Sequence, residues 1–313
     1  MASGRGPGEI AYACAGVYTC VVGGDGSYPH VVKLPQRGFA LSPDGTRAAY
    51  ASVLGGRGSN LGRVWESSSD GTGMHVVWEF VGEPQGLPAW NRAGTQLAIT
   101  VKGVVPYSDS PAPGATPAGL WVLDAGGGHP HRVAADVSGD VAWNPDGATL
   151  AYQTTSSPPQ LETISASGGQ AKHLSSSAGS LSWSPDGHTI LVTSNGGRPG
   201  VSEIEAVPAG GGTAKVVVRR SPTTAYDGAY YSPDGSQIVV GVEEFGPEQS
   251  RRSTSLSVAG TDGSHLTPLG VADVEYVIDW VERSSRLTGP PAPTTTVPPG
   301  GLHINFPPLT PRP

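Results

Sequence analysis

The residue types that most often do chemistry are present in this sequence, but they do not form a known catalytic pattern. There is no G-x-S-x-G nucleophile elbow, no H-E-x-x-H zinc motif, no G-x-x-x-x-G-K phosphate loop and no EF-hand loop. Each of these motifs exists because its chemistry needs those residue types at that spacing. The catalytic classes that they define are therefore not indicated.

Eight histidines suggest a metal site, but their spacing argues against one. Five of them recur at one position of an internal repeat, next to a turn; they are His30, His75, His131, His173 and His265. Residues at the same outer position of successive repeats lie far apart around a ring and cannot share one ion. We therefore predict no zinc or manganese centre.

Charged residues recur at a second position, where the first strand of a repeat begins. Four lie at the strand entrance and three just outside it: Arg37, Asp140, Asp227 and Glu275, then Glu83, Asp136 and Asp273. Acids outnumber bases in this set. We therefore predict that these residues surround the mouth of a central channel, and that this mouth binds a basic peptide segment. Ca²⁺ is an alternative ligand of such a mouth, and no other cofactor is expected. Scattered solvated charge on loops is the other interpretation.

The two cysteines, Cys14 and Cys20, flank the turn of "CAGVYTC". If the hairpin centres on Val17, the two residues oppose each other directly, at a Cα distance that a disulfide can span. Two free, half-buried thiols are the alternative. A disulfide would indicate an oxidising compartment.

The elements that position these residues come from a repeated phrase. "LSPDGTRAAY", "WNRAGTQLAI", "WNPDGATLAY", "WSPDGHTILV" and "YSPDGSQIVV" begin at residues 41, 90, 143, 183 and 231, and a truncated copy centres on Trp280. Pro suits the second position of a type I turn and Gly the left-handed position that follows it. Each phrase is therefore a hairpin that joins an inner strand A to a strand B. Variable loops and Gly-rich turns add strands C and D, which is typical of a β-propeller blade.

The two ends of the chain predict the number of blades. Residues 9 onward supply strands B, C and D without A, whereas "EYVIDW" supplies A alone. Together they complete one blade, so we predict an all-β, six-bladed propeller closed by residues 276–281 pairing with 9–13. The alternative is an open sandwich of six hairpin pairs.

The B–C loops are expected to be long in blades one (53–62), two (102–118) and five (243–253). They are expected to be short in blades three (155–160) and six (15–16), which leaves a trough across the channel mouth. We place the propeller at residues 9–285, after a disordered segment 1–8. Residues 286–313 form a Pro/Thr-rich tail, which is either a linker or a frayed end.

The W-SPDG-x-x-IAY phrase followed by a D-G-S-type turn resembles the repeat of TolB-type β-propellers. The resemblance covers about residues 9 to 285 and implies the six-bladed fold. It implies several functions, since such blades occur in Pal-binding periplasmic proteins, in gating domains of serine peptidases and in pectin-fragment lyases.

Composition narrows the class of partner. The net charge of −7 argues against nucleic acid or an anionic membrane. The sequence contains no run of 18 apolar residues, so no membrane span is predicted.

The N-terminus as written lacks the apolar region of a signal peptide. A cytosolic chain, a misassigned start or an excised domain would each give such an N-terminus. The cysteine pair nevertheless favours an extracytoplasmic, periplasmic or secreted, location.

We call the face that carries the B–C loops and the connections from strand D to strand A the variable-loop face. The sequence thus predicts a non-catalytic, monomeric scaffold that binds a protein or peptide through this face, with no nucleic acid and no membrane insertion. The alternative is an enzyme or its remnant: a carbohydrate-active lyase or hydrolase, or the gating propeller of a separated serine peptidase.

Overall fold

The computed structural model describes residues 8–14, 18–27, 30–32, 39–54, 61–69, 71–103, 114–176, 179–194, 202–246 and 251–281. Within these ranges every regular element is a β-strand, and the strands form six antiparallel sheets. The part described contains no helix that is long and apolar enough to cross a membrane. The expected N-terminal segment and Pro-rich tail lie almost entirely outside the described residues.

Each sheet is one blade, and its strands run in order from the inside to the outside. Blade one contains β4 (Phe39–Leu41), β5 (Arg47–Leu54), β6 (Leu61–Ser68) and β7 (His75–Val81). Blade two contains β8 (Glu83–Pro84), β9 (Ala89–Trp90), β10 (Gln96–Lys102), β11 (Gly119–Asp124) and β12 (His131–Ala134). Blade three contains β13 (Val137–Trp143), β14 (Thr149–Thr154), β15 (Leu161–Ser165) and β16 (Lys172–Ser175).

The remaining blades follow the same plan. Blade four contains β17 (Leu181–Trp183), β18 (Thr189–Ser194), β19 (Glu203–Pro208) and β20 (Lys215–Val218). Blade five contains β21 (Thr224–Tyr231), β22 (Gln237–Phe245), β23 (Arg251–Gly260) and β24 (Thr267–Ala272). Blade six contains β25 (Val274–Val281), β1 (Glu9–Cys14), β2 (Tyr18–Gly23) and β3 (His30–Val32).

The ring is closed as the sequence predicts. The inner strands contact one another in the order β4, β9, β13, β17, β21, β25 and back to β4. Strand β25 pairs with β1, so that Glu9 lies opposite Val281 and Ile10 opposite Trp280. Joining the two ends of the chain in one blade satisfies backbone groups that an open ring would expose at its edge. The structure is a six-bladed β-propeller.

The tryptophan that leads the repeated phrase in blades two, three and four joins each of these blades to the preceding one. The indole N–H of Trp90 donates to the carbonyl oxygen of Ala40 (3.1 Å), and Trp143 and Trp183 repeat this bond to Ala89 (3.0 Å) and Ala142 (3.1 Å). The three indoles are at most 8% exposed. The buried ring supplies apolar contact area while its N–H satisfies a carbonyl of the neighbouring blade. This bond explains why Trp recurs in the phrase.

The SPDG turn is held by its own side chains. In blade one the Ser42 hydroxyl donates to Asp44 Oδ1 (2.6 Å) and accepts from the Arg47 N–H (2.9 Å). The Ser42 hydrogen bond is the main reason why the pKa of Asp44 lies below its ordinary value. Gly45 follows in the left-handed region (φ 65°), which a residue without a Cβ adopts at little cost. The phrase is a hairpin, as predicted.

The disulfide between Cys14 and Cys20 is present, with a Cα–Cα distance of 5.8 Å. The predicted direct opposition is wrong, because Cys14 pairs with Tyr18 and Cys20 with Tyr12. The hairpin is centred one residue earlier than Val17, so the two cysteines are diagonal neighbours on one face of the sheet. Both are buried in the core between blades five and six.

Two further details differ from the prediction. In blade five the expected loop 243–253 is largely strand, since β22 continues to Phe245 and β23 begins at Arg251. Likewise β5 and β6 extend into the expected loop 53–62 of blade one. These hairpins are lengthened by residues that the phrase does not specify. The connection of blade two, between Lys102 and Gly119, is as long as expected.

Candidate functional site

The predicted mouth residues of blade three lie where β13 begins. Asp136 is exposed in the turn between β12 and β13, and Asp140 is half-buried at a bulge in β13. Gly139 takes a positive φ (69°) in that bulge, which turns the Asp140 side chain out of the regular alternation. Burial raises the pKa of Asp140, although an N–H bond from Leu87 of blade two opposes this shift. Asp140 therefore links β13 to the segment between β8 and β9 of blade two.

The predicted residues of blades five and six come together in a second place. Asp227 on β21 and Glu275 on β25 line one very small cavity of about 10 Å³, which they share with Glu243 on β22. Asp227 also lies at a bulge next to a glycine of positive φ, Gly228 (71°). Glu243 is not among the predicted mouth residues, because the sequence pattern places it in the B–C loop 243–253. Its place at the end of a long strand is what brings it to the mouth.

The other predicted mouth residues are more peripheral. Glu83 is exposed on β8, where it lies opposite Lys102 of β10. Asp273 is exposed in the turn before β25, with a positive φ of 57°. Arg37 lies outside the described residues. The structure thus groups the acids at two junctions, between blades two and three and between blades five and six, which are opposite one another in a ring of six.

The histidines are distributed as the repeat predicts. His30, His75 and His131 begin outermost strands, and His173 is the second residue of β16. His265 lies in the turn before β24. Among the described residues, no three His, Cys, Asp or Glu side chains are grouped so that they could hold a metal ion.

One further acid, which is not among the predicted site residues, lies inside the ring. The residue before each lead aromatic or apolar residue is partly exposed on the innermost strand; these residues are Ala40, Ala89, Ala142, Ser182, Tyr230 and Asp279. Asp279 is the one carboxylate among them. Burial raises its pKa to about 6, although the Trp280 N–H donates to its Oδ1 (2.8 Å) and opposes the shift. When the repeats are aligned, Asp279 falls at the position that Ala40, Ala89 and Ala142 occupy in three other blades. A carboxylate at this position was the signal that could have identified it.

Comparison with known proteins bears on the fold. The sequence matches no protein-family model and no curated protein. Its structure is similar to that of TolB from Acinetobacter baumannii, with a TM-score of 0.62 and 19% identity over 87% of this chain and 67% of that one. A putative TolB from Agrobacterium tumefaciens gives a TM-score of 0.58 and 17% identity over 82% and 88%. Oligogalacturonate lyase from Vibrio parahaemolyticus gives 0.53 and 14% over 80% and 70%.

These similarities, together with six closed four-stranded blades, define the class of the protein. It is a six-bladed β-propeller whose fold is similar to that of TolB. At these levels of identity the likeness establishes the fold, whereas function has to be argued from the residues of the site.

Proposed function

We propose that this protein is a non-catalytic scaffold that binds a basic segment of a protein or peptide at its variable-loop face. The observation that carries the proposal is the group of three carboxylates Asp227, Glu243 and Glu275, since the blade order puts their junction opposite the one that holds Asp136 and Asp140. Carboxylates at both ends of one face create a negative potential that attracts cationic segments and speeds their association. The TolB-like fold is consistent with this role.

The rigidity of the ring supports a binding role for its loops. The inner strands and the tryptophan hydrogen bonds fix the frame, while the connections between strands B and C differ in length from blade to blade. Binding residues are commonly placed on variable loops that a rigid scaffold positions. The repeated turns of the opposite face are short and alike, so they offer less to distinguish one partner from another.

We also propose that the protein functions in an oxidising compartment outside the cytoplasm. The disulfide Cys14–Cys20 supports this location, because disulfides persist where thiols are not kept reduced. The calcium expectation and the enzyme alternative stay predictions. The enzyme alternative would be favoured if the protein released unsaturated products from oligogalacturonates.

The proposed function is tested with a dye-labelled peptide of four lysines separated by serines. The triple variant Asp140→Ala, Asp227→Ala, Glu275→Ala should bind it about 5- to 150-fold more weakly, since three attractions of a few tenths to one kcal/mol each are lost. The matched control, His75→Ala with His265→Ala, changes exposed residues near the opposite face and should bind as the wild type does.

Salt provides the second readout of the same experiment. Binding to these partly exposed carboxylates should weaken as salt is added, because charges in contact with solvent are screened over about 8–10 Å near physiological ionic strength. Wild-type affinity that is unaffected by the triple change, or lost with the histidine pair, would place the binding face elsewhere.

A further inference from the structure

The junction between blades one and two is filled by two indoles. Trp78 lies on β7, the outermost strand of blade one, and Trp121 on β11 of blade two; their ring centroids are 5.4 Å apart. Both contribute to the apolar cluster that joins these blades. Aromatic side chains of this size supply most of the contact area where they occur.

The same two positions of the next junction carry small or charged residues. Trp121 lies opposite Ile99 and Glu162 opposite Tyr152, and Ile99 and Tyr152 each follow the lead tryptophan of their blade by nine residues. Glu162 of blade three therefore takes the place of Trp121. By the same register Ala134 of blade two takes the place of Trp78, since Ala134 lies opposite Leu120 as Trp78 lies opposite Val64.

A groove lies at these positions, between blades two and three. Its volume is about 610 Å³, and both Ala134 and Glu162 line it. This volume is within the range of sites that take small ligands or large side chains. Val133 and Ile164, which are 8% and 5% exposed, form an apolar part of its wall. The groove begins beside Asp136 and Ser156 at the variable-loop face and runs outward along the flank of the ring.

A carboxylate is held in a fixed position on this wall. The buried Tyr152 hydroxyl donates to Glu162 Oε2 (2.6 Å). Burial, then the hydrogen bond and charge of Glu162, and finally the charge of Asp136 all raise the pKa of Tyr152. The charges of Asp136 and Glu162 therefore both act on the Tyr152 hydroxyl, and both side chains line the groove. Among the described residues, neither carboxylate has a basic side chain within ion-pair distance.

We propose that the groove between blades two and three binds an arginine side chain of a peptide or protein partner. The aliphatic stem of the arginine packs against Val133 and Ile164, and its guanidinium donates to Glu162 and Asp136. Arginine suits the groove because its head is planar, as the missing indoles are, and is more weakly hydrated than an ammonium group. Charge-assisted bonds to a carboxylate that is already oriented give the site its specificity.

The probe is the peptide acetyl-Ala-Ala-Arg-Ala-Ala-amide, titrated by calorimetry into the full chain. The same peptide with citrulline has nearly the same shape without the charge, and it should bind at least about tenfold more weakly. Glu162→Gln keeps an acceptor for Tyr152 and should lower arginine affinity by a similar factor. Its matched control is Glu205→Gln at the equivalent position of blade four, which should leave the affinity unchanged.

A refilled groove gives the complementary result. Ala134→Trp with Glu162→Trp restores the indole pair of the preceding junction, so the folded variant should no longer bind the peptide. If this variant does not fold, Glu162→Gln carries the test. The mouth variant Asp227→Asn with Glu275→Gln should bind the arginine peptide as the wild type does, which separates this site from the proposed mouth. Equal affinity for the citrulline peptide, or unchanged affinity in Glu162→Gln, would overturn the proposal.

Discussion

Replacing Asp279 by Asn should stabilise the protein at neutral pH. Asp279 lies on the innermost strand at a position that carries Ala in three other blades. There burial disfavours its charged form and raises its pKa to about 6. Asparagine has nearly the same shape, cannot ionise, and keeps an oxygen that accepts the Trp280 N–H (2.8 Å in the wild type). The substitution removes the cost of the charge and little else.

The magnitude follows from the shift in pKa. From the ordinary value of 3.8 to about 6 is roughly two units, and each unit corresponds to about 1.4 kcal/mol. Because the folded state holds the proton more tightly, the contribution of Asp279 to stability is most favourable below pH 4 and falls as the pH rises through 6. Above that pH the Asn variant should be more stable by up to about 3 kcal/mol. In a domain of this size that corresponds to a rise in Tm of about 5 °C.

The assay is thermal and urea unfolding of both proteins between pH 4 and pH 8. Asp234→Asn is the matched control, since the Ser232 hydroxyl and the Ser236 N–H and hydroxyl lower the pKa of this turn carboxylate. Loss of the Asp234 charge should lower the stability of the protein at neutral pH, whereas loss of the Asp279 charge should raise it. The reasoning is refuted if the Asp279 variant is no more stable than the wild type at pH 7.5, or if its advantage does not shrink in acid.

Three further predictions concern the closed ring. Replacing Cys14 and Cys20 by Ser should cost about 2 kcal/mol of stability, because the loop that the disulfide closes is short; two free thiols in the denatured, non-reduced wild type would contradict the bond. Trp143→Phe should cost about 1–3 kcal/mol in urea unfolding, since the buried carbonyl of Ala89 loses its indole donor, and an unchanged midpoint would show that this bond contributes nothing. Removing residues 276–313 should expose the edge of β1 and cause aggregation in light scattering; a soluble monomer would contradict closure by β25.

The fold could be predicted because local chemistry and global closure agree. Pro, Asp and Gly in the repeated phrase specify a hairpin, and complementary missing strands at the two ends specify a ring. The register of the Cys14–Cys20 hairpin could not be predicted, since a shift of the turn centre by one residue is compatible with the same residue types. The length of the β22–β23 hairpin depends on cross-strand pairing outside the phrase.

The site was less predictable for a geometric reason. Position along a blade identified the acids that enter the inner strands, such as Asp140 and Asp227, but not which of two neighbouring blades each one faces. Bulges at Gly139 and Gly228 decide that direction. The groove beside Glu162 is formed by residues of two different blades. A single repeat, considered by itself, therefore does not predict it.

The face used for binding is tested most directly by photo-crosslinking from two positions of blade five. A benzoylphenylalanine at Thr223 stands exposed at the variable-loop face, and one at Ser236 stands exposed in the repeated turn of the opposite face. Each folded variant is irradiated in native extract, and adducts are identified by mass spectrometry. Our account predicts one dominant adduct from position 223 that disappears in high salt, and none from position 236. An adduct from 236 but none from 223 would contradict it, and so would the absence of adducts from both.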